Sequence, residues 1–155
     1  MAPLREEAEV LRLGLVLGLV EPGAAVAWAD RIIAAAEATP IEVMDVAMAS
    51  RQPVDEMIRL LGRVPGSADF THAAHCALGF MRERFIGGGL SLEAAADMLW
   101  AYAREANIPE DERDVAASFI HEYHCLVDYF GTPVELGNEI TQFLAEHAAA
   151  APFAP

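Results

Sequence analysis

The chain contains no lysine: its ten basic side chains other than histidine are all arginines. This absence excludes chemistry that needs a lysine amine, such as a Schiff base or the lysine of a phosphate-binding loop. Basic charge is also scarce, because 24 acidic residues stand against 10 basic ones and the formal net charge is −14. Such a charge repels nucleic acids and anionic membranes, so we expect neither as a partner and favour a basic protein partner.

Long apolar runs are missing as well. The longest, residues 13–20, is far shorter than the roughly 20 residues that span a bilayer, so we expect no membrane segment. We expect no secretory signal either, because Glu6, Glu7 and Glu9 precede this run in place of a basic stretch. A cytoplasmic location is therefore expected. In such a reducing compartment the two cysteines are expected to be free thiols or metal ligands.

The residues that are present favour helices. Apolar residues make up 54% of the chain and recur at helical spacing. Proline or a capping residue opens nearly every segment, and acidic residues occupy the first turns. The pattern predicts eight helices, beginning near residues 4, 22, 40, 53, 68, 91, 109 and 132. We expect one all-α domain covering residues 1–155, a compact bundle or short stack of about four αα-hairpins.

An internal repeat marks the C-terminal half of the sequence. Segments 68–76 and 117–125 are identical at five of nine positions, and both contain the pattern His-x-x-His-Cys. Each segment is followed by a turn and another helix, so residues 68–106 and 117–149 are predicted to be a duplicated helix pair. The two segments hold four of the five histidines and both cysteines of the chain.

The repeated histidines and cysteines share one face of each predicted helix. At about 100° per residue, Phe70, Ala74 and Leu78 form the apolar stripe of the first copy. His75 and Cys76 project from the opposite side. We therefore expect the motif to face solvent, the other copy or another subunit, and not the core of its own hairpin.

This face could hold a metal ion. A histidine and a cysteine at i and i+4 lie one turn apart and can chelate one ion. Two such helices side by side would offer a tetrahedral set that suits zinc or another transition metal: His72, Cys76, His121 and Cys125. Outer or alternative ligands would then be His75, His124 and Asp128. The pattern leaves open whether the two copies meet within one chain or across two.

Other interpretations of the motif remain open. The histidines and cysteines can be packing residues of an interface, or the cysteines can form a redox pair. The high apolar content together with this face predicts a homodimer. Since no complete catalytic set is present, we favour a non-enzymatic protein-binding module of the adaptor or immunity type. A metal-binding protein is the alternative, followed by a metal-dependent hydrolase with Asp128 or Glu122 as base.

The remaining polar and aromatic features are interpreted as structural. Near residue 110 a group of acidic residues is expected to begin a helix and face solvent: Glu110, Asp111, Glu112 and Asp114. His147 is expected to interact with the dipole at the end of the last helix. Trp28 and Trp100 are expected to be core or interface anchors, and the tail from Ala148 is expected to be frayed.

Overall fold

A computed structural model describes residues 3–128 and 132–153, except for the side chains of residues 127 and 128. This part of the chain contains eight α-helices and no strand, which confirms the all-α prediction. Every helix begins within two residues of its predicted start. The helices are α1 Leu4–Val16, α2 Pro22–Ala35, α3 Ile41–Ala47, α4 Val54–Gly62, α5 Phe70–Ile86, α6 Leu92–Glu105, α7 Glu110–Asp128 and α8 Pro133–His147.

Helix α1 is the central element of the N-terminal part. It packs against α2, α4, α5 and α6, and its Leu11 and Leu13 are fully buried. The carboxylate of Glu9 is also buried. Its charge is compensated by Arg12, which donates hydrogen bonds of 2.8 and 2.7 Å to its two oxygens. None of the described helices combines the length and apolar character that a membrane crossing requires.

Helix α5 carries the first His-x-x-His-Cys copy and is covered on both sides. One side packs on α1, and the other packs on α8 and on the segment that follows α8. The motif face predicted to point away from the core is therefore only partly covered: the prediction is wrong for Cys76, which is fully buried, whereas His72 is exposed. Helix α7, which carries the second copy, packs against α6 and α8. The duplication itself stays a prediction.

Residues 148–153, here called the C-terminal strap, lie across α5. The backbone N–H of Ala149 donates to the carbonyl of His75 at 2.9 Å, and the carbonyl of Ala150 accepts the Cys76 S–H at 3.4 Å. A Cβ atom at Gly79 would collide with the backbone oxygen of Ala149, so glycine permits this approach. The strap is thus packed against the helix, and the prediction of a frayed tail is wrong for these residues.

Candidate metal centre

Two histidines and a glutamate meet where α5, α7 and the end of α8 come together. One ligand atom from each of His75, Glu112 and His147 lies within 4.8 Å of the other two. Among the residues that the structure describes, this is the one group of three or more His, Cys, Asp or Glu side chains with such spacing. The three residues come from three different helices, so only the folded chain assembles them.

Glu112 is the centre of this group. Its two carboxylate oxygens each lie 3.0 Å from Nε2 of His75, and the hydroxyl of Tyr102 donates to Oε1 at 2.8 Å. Nδ1 of His147 lies 3.8 Å from Oε2, and the glutamate side chain is only 4% exposed. Burial, and then the charge of Glu112, raises the pKa of Tyr102, so its hydroxyl keeps its proton as a donor.

The two histidines form the solvent-accessible side of the group. Their side chains are 23% exposed for His75 and 29% exposed for His147, and the two ring centroids are 5.6 Å apart. The ring of His147 also packs against Phe143 at 4.7 Å, which restricts its rotation. An ion can therefore approach from the side of the two histidines and contact the carboxylate of Glu112, which the hydrogen bond from Tyr102 holds in place.

The donor set is one that transition metals use. Two imidazole nitrogens and one carboxylate oxygen are the ligands of hydrolytic zinc sites and of non-haem iron sites. A hydrogen bond to a ligating carboxylate, here from Tyr102, is the kind of outer contact that orients a metal ligand. Three protein ligands leave coordination positions for water or another molecule. The residues present therefore fit a divalent transition metal ion.

Glu112 and His147 were not expected in a site. Glu112 was predicted to lie on a solvated face, but it is in register with Ala116 and Phe119, which form the buried face of α7. The solvated-face prediction is wrong for this residue, whereas Glu110, Asp111 and Asp114 are exposed. The sequence signal for this burial was the spacing of Glu112, Ala116 and Phe119, because residues at i, i+4 and i+7 share a face of a helix. His147 likewise continues a buried face of α8 formed by Leu136, Ile140, Phe143 and Leu144.

The predicted pair in the first copy is formed, with a different environment. The sulfur of Cys76 lies 3.9 Å from both ring nitrogens of His72, while Nδ1 of His72 bonds Oε1 of Glu6 at 2.8 Å. Burial, and then the charge of Glu6, raises the pKa of the Cys76 thiol to about 11. In this conformation the sulfur is a neutral thiol under the strap, whereas a metal ligand would be a thiolate.

The second copy lies at the surface. Nε2 of His121 is 3.7 Å from the sulfur of Cys125, and His121 and His124 are exposed. The described residues hold no ligand group that joins this pair to His72 and Cys76. The four-ligand zinc site, within a chain or across two, therefore stays a prediction.

Glu122, which was considered as a catalytic base, lines a groove of about 240 Å³ between α7 and α8 together with Cys125 and Glu139. Burial, a hydrogen bond with Glu139 and the charge of Glu139 raise the pKa of Glu122 to about 7. The side chain of Asp128, the other base considered, lies outside the described part of the chain.

No protein-family model, curated protein or solved structure matches this chain. Its function is therefore inferred from the geometry of these residues.

Proposed function

We propose that the protein binds a divalent transition metal ion, with zinc as the first candidate, through His75, Glu112 and His147. The observation that carries this proposal is the convergence of two imidazoles on one buried carboxylate, with ligand atoms within 4.8 Å of one another. This is the metal-binding alternative considered from the sequence, with a different set of ligands. His75, which the sequence suggested as an outer or alternative ligand, is a direct ligand in this proposal.

A simple hydrogen-bonded pair accounts for only part of this arrangement. His75 and Glu112 are within hydrogen-bond distance, but Nδ1 of His147 lies 3.8 Å from the same carboxylate, which is too long for a hydrogen bond. Ligand atoms around tetrahedral zinc, with bonds of about 2.0–2.1 Å, lie roughly 3.3 Å apart. The two observed nitrogen–oxygen separations of 3.0 and 3.8 Å lie on either side of that value, and all three ligand atoms lie within 4.8 Å of one another, so side-chain movements that close the remaining separation would complete the site.

Zinc titration of the chelator-treated protein tests the proposal. We expect one ion per chain by isothermal titration calorimetry and elemental mass spectrometry. At an ion concentration 100 times Kd, binding should raise the free energy of unfolding by about 2.7 kcal/mol. His75→Ala and His147→Ala should abolish this gain. Tyr102→Phe should weaken binding by about 10-fold, because it removes only an outer contact.

Two exposed histidines of the second copy provide matched controls. His121→Ala and His124→Ala remove the same side chain from α7 outside the proposed ligand group, and should leave zinc affinity within about 2-fold of the parent. Zinc binding that survives His147→Ala but is lost in His121→Ala and Cys125→Ser would overturn the assignment. It would favour the sulfur-containing set predicted from the sequence.

A second candidate function is the binding of a basic protein partner, as an adaptor or immunity protein would. Two adjoining grooves between α7 and α8 share Glu122 and Glu139, and Glu135 and Glu146 also line them. Apolar lining comes from Leu126, Leu136, Phe119 and Phe143, and the lining residues in the described chain include no arginine. Such a surface complements a segment with arginine and apolar side chains.

The homodimer predicted from the sequence stays a prediction.

A synthetic amphipathic peptide with arginine and leucine at helical spacing tests this groove. Glu122→Gln with Glu139→Gln should weaken its binding by about 10-fold at moderate salt, as measured by calorimetry. The control, Glu21→Gln with Glu37→Gln, removes two carboxyl groups from exposed positions outside the grooves and should change affinity by less than about 2-fold. Equal losses in both variants would mean that only the overall charge attracts the peptide.

A further inference from the structure

The C-terminal strap begins immediately after a proposed metal ligand. His147 ends α8, and two residues later the backbone of Ala149 bonds the carbonyl of His75. His75 therefore holds the strap through its backbone and belongs to the proposed metal centre through its side chain. One ion bound to His75 and His147 would therefore fix the end of α8, from which the strap begins, to α5, on which the strap lies.

Among the described residues, two hydrogen bonds join the strap to α5: the Ala149 backbone bond and the bond from the Cys76 S–H to Ala150. The rings of Phe153 and Phe80 are in contact, with centroids 6.5 Å apart, and the strap residues that pack on the core are only partly buried. Segments with few buried contacts open with a small free energy compared with the whole fold. The strap also contributes to the burial of Cys76, because the carbonyl of Ala150 contacts its sulfur.

We propose that ion binding at His75, Glu112 and His147 closes the C-terminal strap over Cys76, and that loss of the ion lets the strap open. This inference rests on the proposed metal-binding function. An ion bridging His75 and His147 fixes the end of α8 on α5, and the strap has to leave from that end. Opening that moves His147 away would break a metal bond, so the ion binds preferentially to the closed form.

The size of the effect follows from linkage. If only the closed form binds the ion, the ion lowers the population of the open form by a factor of about 1 + [ion]/Kd. At 100 times Kd, opening should be about 100-fold less frequent. The coupling is reciprocal, so a substitution that opens the strap should weaken ion binding in proportion to the closed fraction that it removes.

Alkylation of Cys76 measures the opening directly. In a Cys125→Ser background Cys76 is the one remaining thiol of the chain. With iodoacetamide its sulfur bonds the methylene carbon, iodide leaves and the thiol proton goes to solvent, so mass spectrometry follows the reaction. We expect zinc at 100 times Kd to slow alkylation about 100-fold relative to chelator-treated protein. His147→Ala should remove this dependence on zinc.

A direct bond between zinc and the sulfur would also protect Cys76, and a further variant separates the two explanations. His72→Ala removes the neighbouring histidine that would chelate the ion with Cys76, but leaves His75 and His147 in place. Protection that survives His147→Ala and disappears in His72→Ala would overturn the coupling. Protection that disappears in His147→Ala and survives in His72→Ala supports the coupling.

Gly79→Ala perturbs the strap without altering a ligand. The added Cβ would collide with the carbonyl oxygen of Ala149, so the strap should lift. We expect alkylation at least about 10-fold faster without zinc, together with weaker zinc binding. Gly137→Ala is the matched control, because it is a glycine on α8 whose added Cβ would meet no atom within 4 Å. Its alkylation rate and zinc affinity should equal those of the parent.

Failure of this inference differs from failure of the proposed function. If calorimetry shows zinc binding but zinc leaves the alkylation rate unchanged, the metal centre stands and the coupling is wrong. If no zinc binds, both the function and the coupling are wrong. Faster alkylation of Gly79→Ala would then still show that the strap shields the thiol.

Discussion

Replacing Glu112 by alanine is expected to lower the free energy of unfolding by about 3 kcal/mol in the absence of metal. The substitution leaves the buried hydroxyl of Tyr102 without its acceptor and removes the partner of His75. An unsatisfied buried polar group loses its hydration and gains nothing in return, which is a larger loss than that of the hydrogen bond alone. Urea denaturation followed by circular dichroism measures the change.

Two substitutions at the same contact separate its parts. Glu112→Gln keeps an acceptor for Tyr102 and should destabilise the protein by about 1 kcal/mol, while it removes the charged metal ligand. Tyr102→Phe removes the donor and leaves the carboxylate bonded to His75, with a similar loss. If Glu112→Ala were as stable as Glu112→Gln, the hydrogen bond that Tyr102 donates at this position would not stabilise the fold.

Replacing Trp28 by alanine is expected to lower the free energy of unfolding by about 4 kcal/mol. The indole is 1% exposed and its N–H donates to Glu7 at 2.7 Å, so α2 loses both its largest buried side chain and a bond to α1. Trp28→Phe should recover about half of this loss, because it restores most of the buried apolar area but not the hydrogen bond. Chemical denaturation of each variant gives these values.

The second tryptophan of the chain is the matched control. Trp100 lies on α6 and is 43% exposed, so Trp100→Ala should destabilise the protein by less than about 1 kcal/mol. The sequence led to the same prediction for both tryptophans, core or interface anchors, because both lie among apolar helical neighbours. Equal destabilisation by the two substitutions would contradict the core position of Trp28.

The helices could be predicted from the sequence because their signals are local. Proline at the start of α2, Ser91 before α6 and Thr132 before α8 each act within one turn of the helix that they begin. The hydroxyls of Ser91 and Thr132 accept hydrogen bonds from the backbone N–H groups of Ala94 and Glu135. Such contacts depend on residues three positions apart, and a sequence displays them directly.

The candidate site could be predicted only in part because its contacts are distant. The repeat drew attention to the helix face that contains His75, but its partner Glu112 lies 37 residues further along the chain. The acidic residues near position 110 look alike in sequence, and only the packing of α7 selects the one that is buried. Cys76 was expected to face solvent, the other copy or another subunit. The strap that contacts it, 74 residues away at Ala150, has no periodic pattern from which this contact could be predicted.

The assembly of the proposed metal centre from α5, α7 and the last residue of α8 would link ion retention to the folded state of the chain. A single imidazole or carboxylate holds a transition metal weakly, and no two of the three ligands lie within one helical turn of each other. An unfolding molecule would therefore release its ion as the three helices separate. The lifetime of the native state would then set an upper limit on the residence time of the ion, and a chromogenic chelator would register each unfolding event as a change of colour.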